Sequence, residues 1–263
     1  MKVYAIVNQK GGVGKTTTTV NLAAAWAEQG QRVLVVDLDP QGAATLHLGH
    51  RPDALDKTIW TALQAGLHPH GGTLDLGEYV VRATVDPVDL LPANLELSLA
   101  EQELQAAFNR ERRLERLLHP ARAAYDAILI DCPPHLGILT VNALAAADAV
   151  LVPFVPEFLS TRGLQAVFVV IDRVRAELNY GLYVAGLVVT QSDSRVGTHK
   201  RWEDQVRVLV GNNLHIFQTI IPNNIDLAKA AATGRSGLAY APRSSGAAAY
   251  RSLAKEILHG EKA

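Results

Sequence analysis

The sequence is poor in cysteine, methionine and aromatic side chains, with one Cys, one Met and 6% Phe, Trp and Tyr in 263 residues. A lone Cys132 excludes an intramolecular disulfide and a Cys-based structural zinc site, so a reducing compartment fits better than a stapled secreted scaffold. It also excludes an iron–sulfur cluster bridging two subunits, which needs two cysteines from each. Charge of one sign is not in excess, since 25 Lys and Arg stand against 26 Asp and Glu. That balance excludes uniform attraction to nucleic acid or anionic lipid but leaves room for a local patch. Long apolar runs are missing as well. The stretch from Ala143 to Leu159 is broken by Asp148, Pro153, Pro156 and Glu157, short of the roughly 20 apolar residues of a membrane span. The run Val3 to Val7 is too brief for a signal-peptide core. What remains is 48% hydrophobic and 19% charged, enough to build one large core at this length.

Val3 to Val7, Arg32 to Asp37 and Ala127 to Asp131 are largely continuous apolar runs, as expected of strands buried on both faces of a parallel sheet. Further strands are predicted at 88–91, 149–152 and 184–190. Helical patterns fall at 15–29, 95–118, 140–146, 164–178, 200–210 and 245–258. The alternation predicts an α/β fold: a doubly wound, mostly parallel sheet with helices on both faces, in one domain spanning 1–263. The first strand starts near Lys2, so no amino-terminal helix-turn-helix domain is expected. The segment from Gly42 to Asp86 is the least regular. Its His47, His50, His68 and His70 lack the spacing of a metal site, so surface loop with a short helix is the better reading.

Lys10-Gly11-Gly12-Val13-Gly14-Lys15-Thr16-Thr17 follows a predicted strand and opens a predicted helix. Gly14-Lys15-Thr16 matches the end of the phosphate-loop pattern G-x-x-x-x-G-K-[ST], while Gln9 stands where that pattern has its first glycine. The chemistry follows from the residue types. Glycines let successive backbone N–H groups converge on phosphate oxygens, the helix amino terminus adds its dipole, Lys15 can reach the β and γ phosphates, and the Thr16 hydroxyl can ligate Mg²⁺. Lys10 would either crowd its own nucleotide or reach that of a facing subunit. Asp37 and Asp39 end the second strand and Asp131 a later one. In open α/β sheets ligands bind at the carboxyl ends of the strands, so these carboxylates are expected to face the phosphates. Thr16, Asp37 and Asp131 form the candidate metal set, and Asp39 is the candidate for activating water.

The chain resembles the ParA-type partitioning ATPases of the ParA/MinD family, which carry this deviant loop. The resemblance rests on three ordered stretches: NQKGGVGKTTTTVNLAAAWAEQGQRVLVVDLDPQGAAT, ILIDCPPHLGILTVNAL and IPNNIDLAKAAATGRSGLAYAPRSSGAAAYRSLAKEI. It implies ATP and Mg²⁺ as cofactors and an ATP-dependent homodimer in which Lys10 crosses to the partner's phosphates. It further implies Lys15 and Thr16 holding phosphate and Mg²⁺, Asp39 acting in hydrolysis, and Pro222 and Asn224 beside the adenine. Nonspecific double-stranded DNA, a ParB-type centromere-binding partner that accelerates hydrolysis, and a nucleoid-associated cytoplasmic location belong to the same implication.

Between Arg195 and Arg251 lie eight basic and three acidic residues, a local +5 against −6 for the rest of a chain whose total is −1. Such a face, doubled in a dimer, suits salt-dependent and sequence-independent affinity for DNA. Arg195, Lys200, Arg201 and Arg235 are the candidate contacts, although Asn223 and Asp226 stand where relatives often carry arginines. A MinD-like membrane-positioning ATPase is the alternative. It would want a basic, amphipathic carboxyl-terminal helix. Ser252 to Ala263 offers only Leu253, Ile257 and Leu258 with balanced charge, so no membrane partner is expected.

Overall fold

The apolar runs of the sequence assemble into one seven-stranded sheet in the computed structural model, which describes residues 1–66, 74–156, 161–192 and 214–260. In chain order the strands are β1 (Lys2–Ile6), β2 (Val33–Asp37), β3 (Val81–Arg82), β4 (Asp89–Leu91), β5 (Ala127–Asp131), β6 (Ala149–Phe154) and β7 (Tyr183–Val189). They lie in the order β3-β4-β2-β5-β1-β6-β7, all parallel except β3, which pairs antiparallel with β4. The six strands read from the sequence are all present. The doubly wound α/β prediction therefore holds.

Alternation along the strands divides the core in two, because successive side chains leave a strand on opposite faces. Val3, Ala5, Leu34, Val36, Ile128 and Ile130 face one layer, with helices α3 (Ile59–Ala65), α5 (Arg113–Leu118), α6 (Ala121–Ala124), α7 (Ile138–Ala146) and α8 (Thr161–Glu177). Tyr4, Ile6, Val33, Val35 and Leu129 face the other, built on α1 (Lys15–Ala27) and α11 (Ser245–Gly260). Trp26 of α1 is fully buried here. Its ring lies 5.1 Å from that of Tyr4, and its indole N–H donates to the Ala254 carbonyl at 3.2 Å. Burying a side chain of that kind contributes about 2–3 kcal/mol.

Four differences from the sequence reading have physical causes. The stretch 95–118 is not one helix: it holds a 3-10 turn, α4 (Ala100–Gln105), a second 3-10 turn and then α5. Asn109 adopts φ 53, a left-handed backbone that stops any α-helix. The first helix ends at Ala27 rather than 29, and Gly30 at φ 83 turns the chain toward β2. The irregular region from Gly42 contains α2 (Ala43–His47) and α3, the latter closed by a reciprocal Thr58–Thr61 capping box. Finally, α9 (Ile225–Ala232) and α10 (Gly237–Tyr240) occupy a stretch that carried no helical prediction. The predicted helix 200–210, His68 and His70 lie outside the described residues, as do Arg195, Lys200 and Arg201. Among the described residues no helix is long and apolar enough to cross a membrane.

Candidate nucleotide site

Parallel register brings three strand ends to one point. Ile6 and Asp37 both stand opposite Asp131 on neighbouring strands, so the loop leaving β1 emerges directly above two carboxylates. Asn8 anchors that loop: its side-chain amide donates to the Pro153 carbonyl at 2.7 Å, and its oxygen accepts from the Lys10 N–H at 2.9 Å. Gly12 and Gly14 hold φ 73 and 82, which β-carbon-bearing residues rarely adopt. A β-carbon at Gly11 or Gly12 would meet nothing within 4 Å, so the space beside these two glycines is open. Gly14 is also the amino-terminal cap of α1, leaving the first backbone N–H groups of that helix for a ligand.

Lys15 is only 7% exposed, and its ammonium donates to the Lys10 carbonyl at 3.2 Å across the loop. Burial lowers its pKa, partly offset by the negative field of Asp131 and Asp39. Below it, Asp131 accepts from the Thr16 hydroxyl at 2.7 Å and the Thr19 hydroxyl at 3.1 Å. Asp37 accepts from both the N–H (2.8 Å) and the hydroxyl (2.7 Å) of Thr45, and from the Asp39 N–H at 3.2 Å. Both carboxyls are fully buried. Desolvation pushes Asp37 up to about 6, while desolvation and the neighbouring Asp37 charge push Asp131 up to about 7 against the opposing pull of Thr16, Lys15 and Thr19. Two adjacent carboxyls with so little water make a natural place for cationic charge. Cys132, behind Asp131, is buried and its thiol is pushed up by the same desolvation.

Asp39 lies two residues past β2 and is half-buried. Its carboxylate accepts from the Gln41 N–H at 2.9 Å and its carbonyl from the Gly42 N–H at 2.9 Å, so it shapes the turn that leads into α2. On the other flank of the loop, a cleft of about 230 Å³ is lined by Gly14, Thr17, Thr190, Pro222, Asn224 and Tyr250 among others. Pro222 and Asn224 thus stand beside the phosphate loop. The Asn224 side chain is already engaged: its oxygen caps α9 through the Asp226 and Leu227 N–H groups, and its amide donates to Ser245. Arg235, just past α9, is half-buried with its Nε enclosed and unpartnered.

The structure also brings in residues that sequence reasoning missed. Thr45 is the clamp on Asp37, and its hydroxyl accepts from the Ala93 N–H at 3.0 Å. Thr45→Val keeps the shape but leaves a buried carboxyl and the Ala93 amide short of a partner, so it is expected to destabilise the fold by about 2–3 kcal/mol. Urea denaturation checks this, with Thr45→Ser close to the parent.

Comparison with known proteins agrees with this geometry. A family model described as an AAA domain matches residues 1–184. The sporulation initiation inhibitor protein Soj of Bacillus subtilis is 39% identical over 97% of this chain and 98% of its own. The chromosome partitioning protein ParA of Caulobacter vibrioides is 38% identical over 100% and 96%. The chain belongs to the ParA/MinD family of ATPases. Solved structures of similar fold include a Mycobacterium smegmatis protein described as cobyrinic acid a,c-diamide synthase with bound ADP and magnesium, at 37% identity, 100% and 96% coverage and a TM-score of 0.84. The cell division ATPase MinD of Pyrococcus furiosus superposes with a TM-score of 0.77 at 27% identity, covering 98% of each chain. The ParA/MinD assignment agrees with a phosphate loop bearing two lysines above the Asp37–Asp131 pair.

Proposed function

We propose that this chain is a DNA-partitioning ATPase that pairs as a homodimer on binding ATP and Mg²⁺, holds double-stranded DNA without sequence preference, and releases it when a ParB-type partner stimulates hydrolysis. The observation that carries the reading is the second lysine of the loop: Lys10 lies on the rim of the cradle whose floor is Lys15, Thr16 and Asp131. The residues present fit the cofactors. The open glycine cradle of Gly11 to Gly14 with Lys15 and Thr17 suits a triphosphate, and Pro222 and Asn224 would flank the base. Thr16 and Asp131, with Asp37 behind them, would hold Mg²⁺, which supplies charge neutralisation at the phosphate oxygens when bound. Lys10 supplies positive charge to the partner's phosphates, and Asp39 orients the attacking water. Closure of the dimer creates the doubled basic face, so nucleotide state and DNA occupancy are linked.

Size-exclusion chromatography with a non-hydrolysable ATP analogue, with and without duplex DNA, tests the reading: a dimer that co-elutes with DNA only when the analogue is present supports it, and a permanent monomer sinks it. The double variant Lys200→Ala, Arg201→Ala is expected to weaken DNA binding about tenfold and to lower the salt slope by about 2, with nucleotide binding unchanged. Fluorescence polarisation across a salt series reads both quantities; unchanged affinity removes these residues from the contact list.

The MinD-like membrane reading meets a specific obstacle. The apolar face of α11 (Ala247, Tyr250, Leu253, Ala254 and Ile257) is buried in the core beside α1, so it is spent on folding rather than offered to a bilayer. The chain's one thiol, Cys132, is buried with its pKa raised, the opposite of a reactive nucleophile.

A further inference from the structure

The phosphate loop is held from outside by the residues that follow β7, far away in sequence. The Thr190 hydroxyl lies within hydrogen-bonding distance of the Val13 carbonyl, at 2.8 Å, and the Gln191 side-chain amide donates to the Gly12 carbonyl. These are consecutive carbonyls of the loop. In a planar trans peptide the C=O and the N–H of the next residue point in opposite directions. Pinning the carbonyls of Gly12 and Val13 toward β7 therefore aims the N–H groups of Val13 and Gly14 the other way.

Gln191 makes this contact from a left-handed backbone, φ 53, one of two positive-φ non-glycine residues among those described. A residue of this type is uncommon there, and such a conformation persists where the surroundings over-determine it. The surroundings do so here. Thr190 N–H donates to the Phe154 carbonyl at 2.9 Å, Ser192 N–H to Ile221 at 3.2 Å, and Asn223 N–H back to Ser192 at 3.1 Å. Residues 190–192 are thus wedged between the phosphate loop and the wall that carries Pro222 and Asn224. Thr190 is 2% exposed, and its side chain packs 3.8 Å from where a β-carbon on Gly14 would sit.

We infer that Gln191, together with Thr190, is a positioning residue that presets the Val13 and Gly14 amides for a nucleotide phosphate. The inference rests on the nucleotide-binding reading above and extends it to residues outside the phosphate-loop signature. Orientation fixed before binding removes an ordering penalty from the ligand, so its loss appears as weaker phosphate affinity. The left-handed backbone of Gln191 is retained because the side chain it delivers sets the loop.

The test uses the full chain and isothermal competition against a fluorescent nucleotide. Gln191→Met keeps length and removes the donor, and Gln191→Glu sets an acceptor against the Gly12 carbonyl. Gln191→Met is expected to weaken Mg-ATP binding about five- to tenfold and Gln191→Glu more; because Gln191 also lines the cleft with Pro222 and Asn224, any loss for adenosine is expected to stay within about twofold in both. Gln191→Gly relaxes the backbone while losing the strap, so it is expected to raise the thermal midpoint of the free protein and still bind Mg-ATP poorly. Mg-ATP affinity of Gln191→Met within about twofold of the parent overturns the inference, as does an equal loss for adenosine, which marks general damage to the cleft. A parent chain that fails to bind Mg-ATP at all overturns the nucleotide reading itself, an outcome distinct from either.

Discussion

Lys15→Ala is expected to weaken Mg-ATP binding by about 100-fold, because it removes the charge-assisted contact that the loop is built to present. The Lys15 ammonium is nearly sealed inside the loop, and in the free protein it donates to the Lys10 carbonyl at 3.2 Å. That carbonyl is a neutral and weak partner for a buried cation, so the ammonium stands ready to exchange it for a phosphate oxygen. Lys15 also tempers the Asp131 carboxyl beneath. Its charge pulls the pKa of Asp131 down against burial and against Asp37. Taking it away therefore drives Asp131 further toward its protonated form. Titration calorimetry with Mg-ATP measures the loss. An affinity within about threefold of the parent would show that Lys15 is a packing residue of the loop and not its phosphate anchor.

The phosphate loop was legible because its chemistry is contiguous: Gly12, Gly14, Lys15 and Thr16 act within five residues of one another, on a strand and a helix whose hydrophobic patterns are strong. Asp37 and Asp131 were legible for a related reason. Each closes a buried apolar run, and parallel register then sets them side by side. The residues that hold these groups in place leave no such trace. Thr45 reaches Asp37 only because α2 folds back under β2, and Thr190 and Gln191 meet the loop across more than 170 residues of chain. A threonine or glutamine in isolation predicts none of this. The missed helix α9 is different, since its signal was present: Asn224 ahead of Ile225-Asp226-Leu227 is a good capping residue before an apolar pair, and its side chain does cap the helix. The alanine-rich sequence after it lacks the bulky periodicity that marks α8 and α11. Conversely, 95–118 has helical composition throughout, yet it breaks into 3-10 turns and two short helices, with the left-handed Asn109 between α4 and α5.

Asp39 offers the second large effect, and two substitutions separate its chemistry from its geometry. Asp39→Asn keeps a side-chain oxygen to accept the Gln41 N–H, so the turn into α2 and the Asp37–Thr45 clamp beyond it should survive. The carboxylate is lost. If Asp39 orients and activates the attacking water, phosphate release at saturating Mg-ATP is expected to fall by about 100-fold in this variant, with nucleotide affinity retained. Asp39→Ala removes the turn contact as well, at about 1 kcal/mol in stability, and is expected to be equally slow. Normal turnover in both variants would end the assignment. Turnover lost in Asp39→Ala but kept in Asp39→Asn would instead make Asp39 a turn-forming residue that acts through the placement of α2. On the proposed cycle the expected outcome has a further consequence, because a chain that binds ATP and does not hydrolyse it would be held in the state that pairs. Light scattering should then show the Asp39→Asn dimer persisting for as long as ATP is present, and DNA should remain bound after addition of a stimulating partner that releases it from the parent. Hydrolysis would thereby be placed at the release step of the cycle, with the basic face formed by pairing alone.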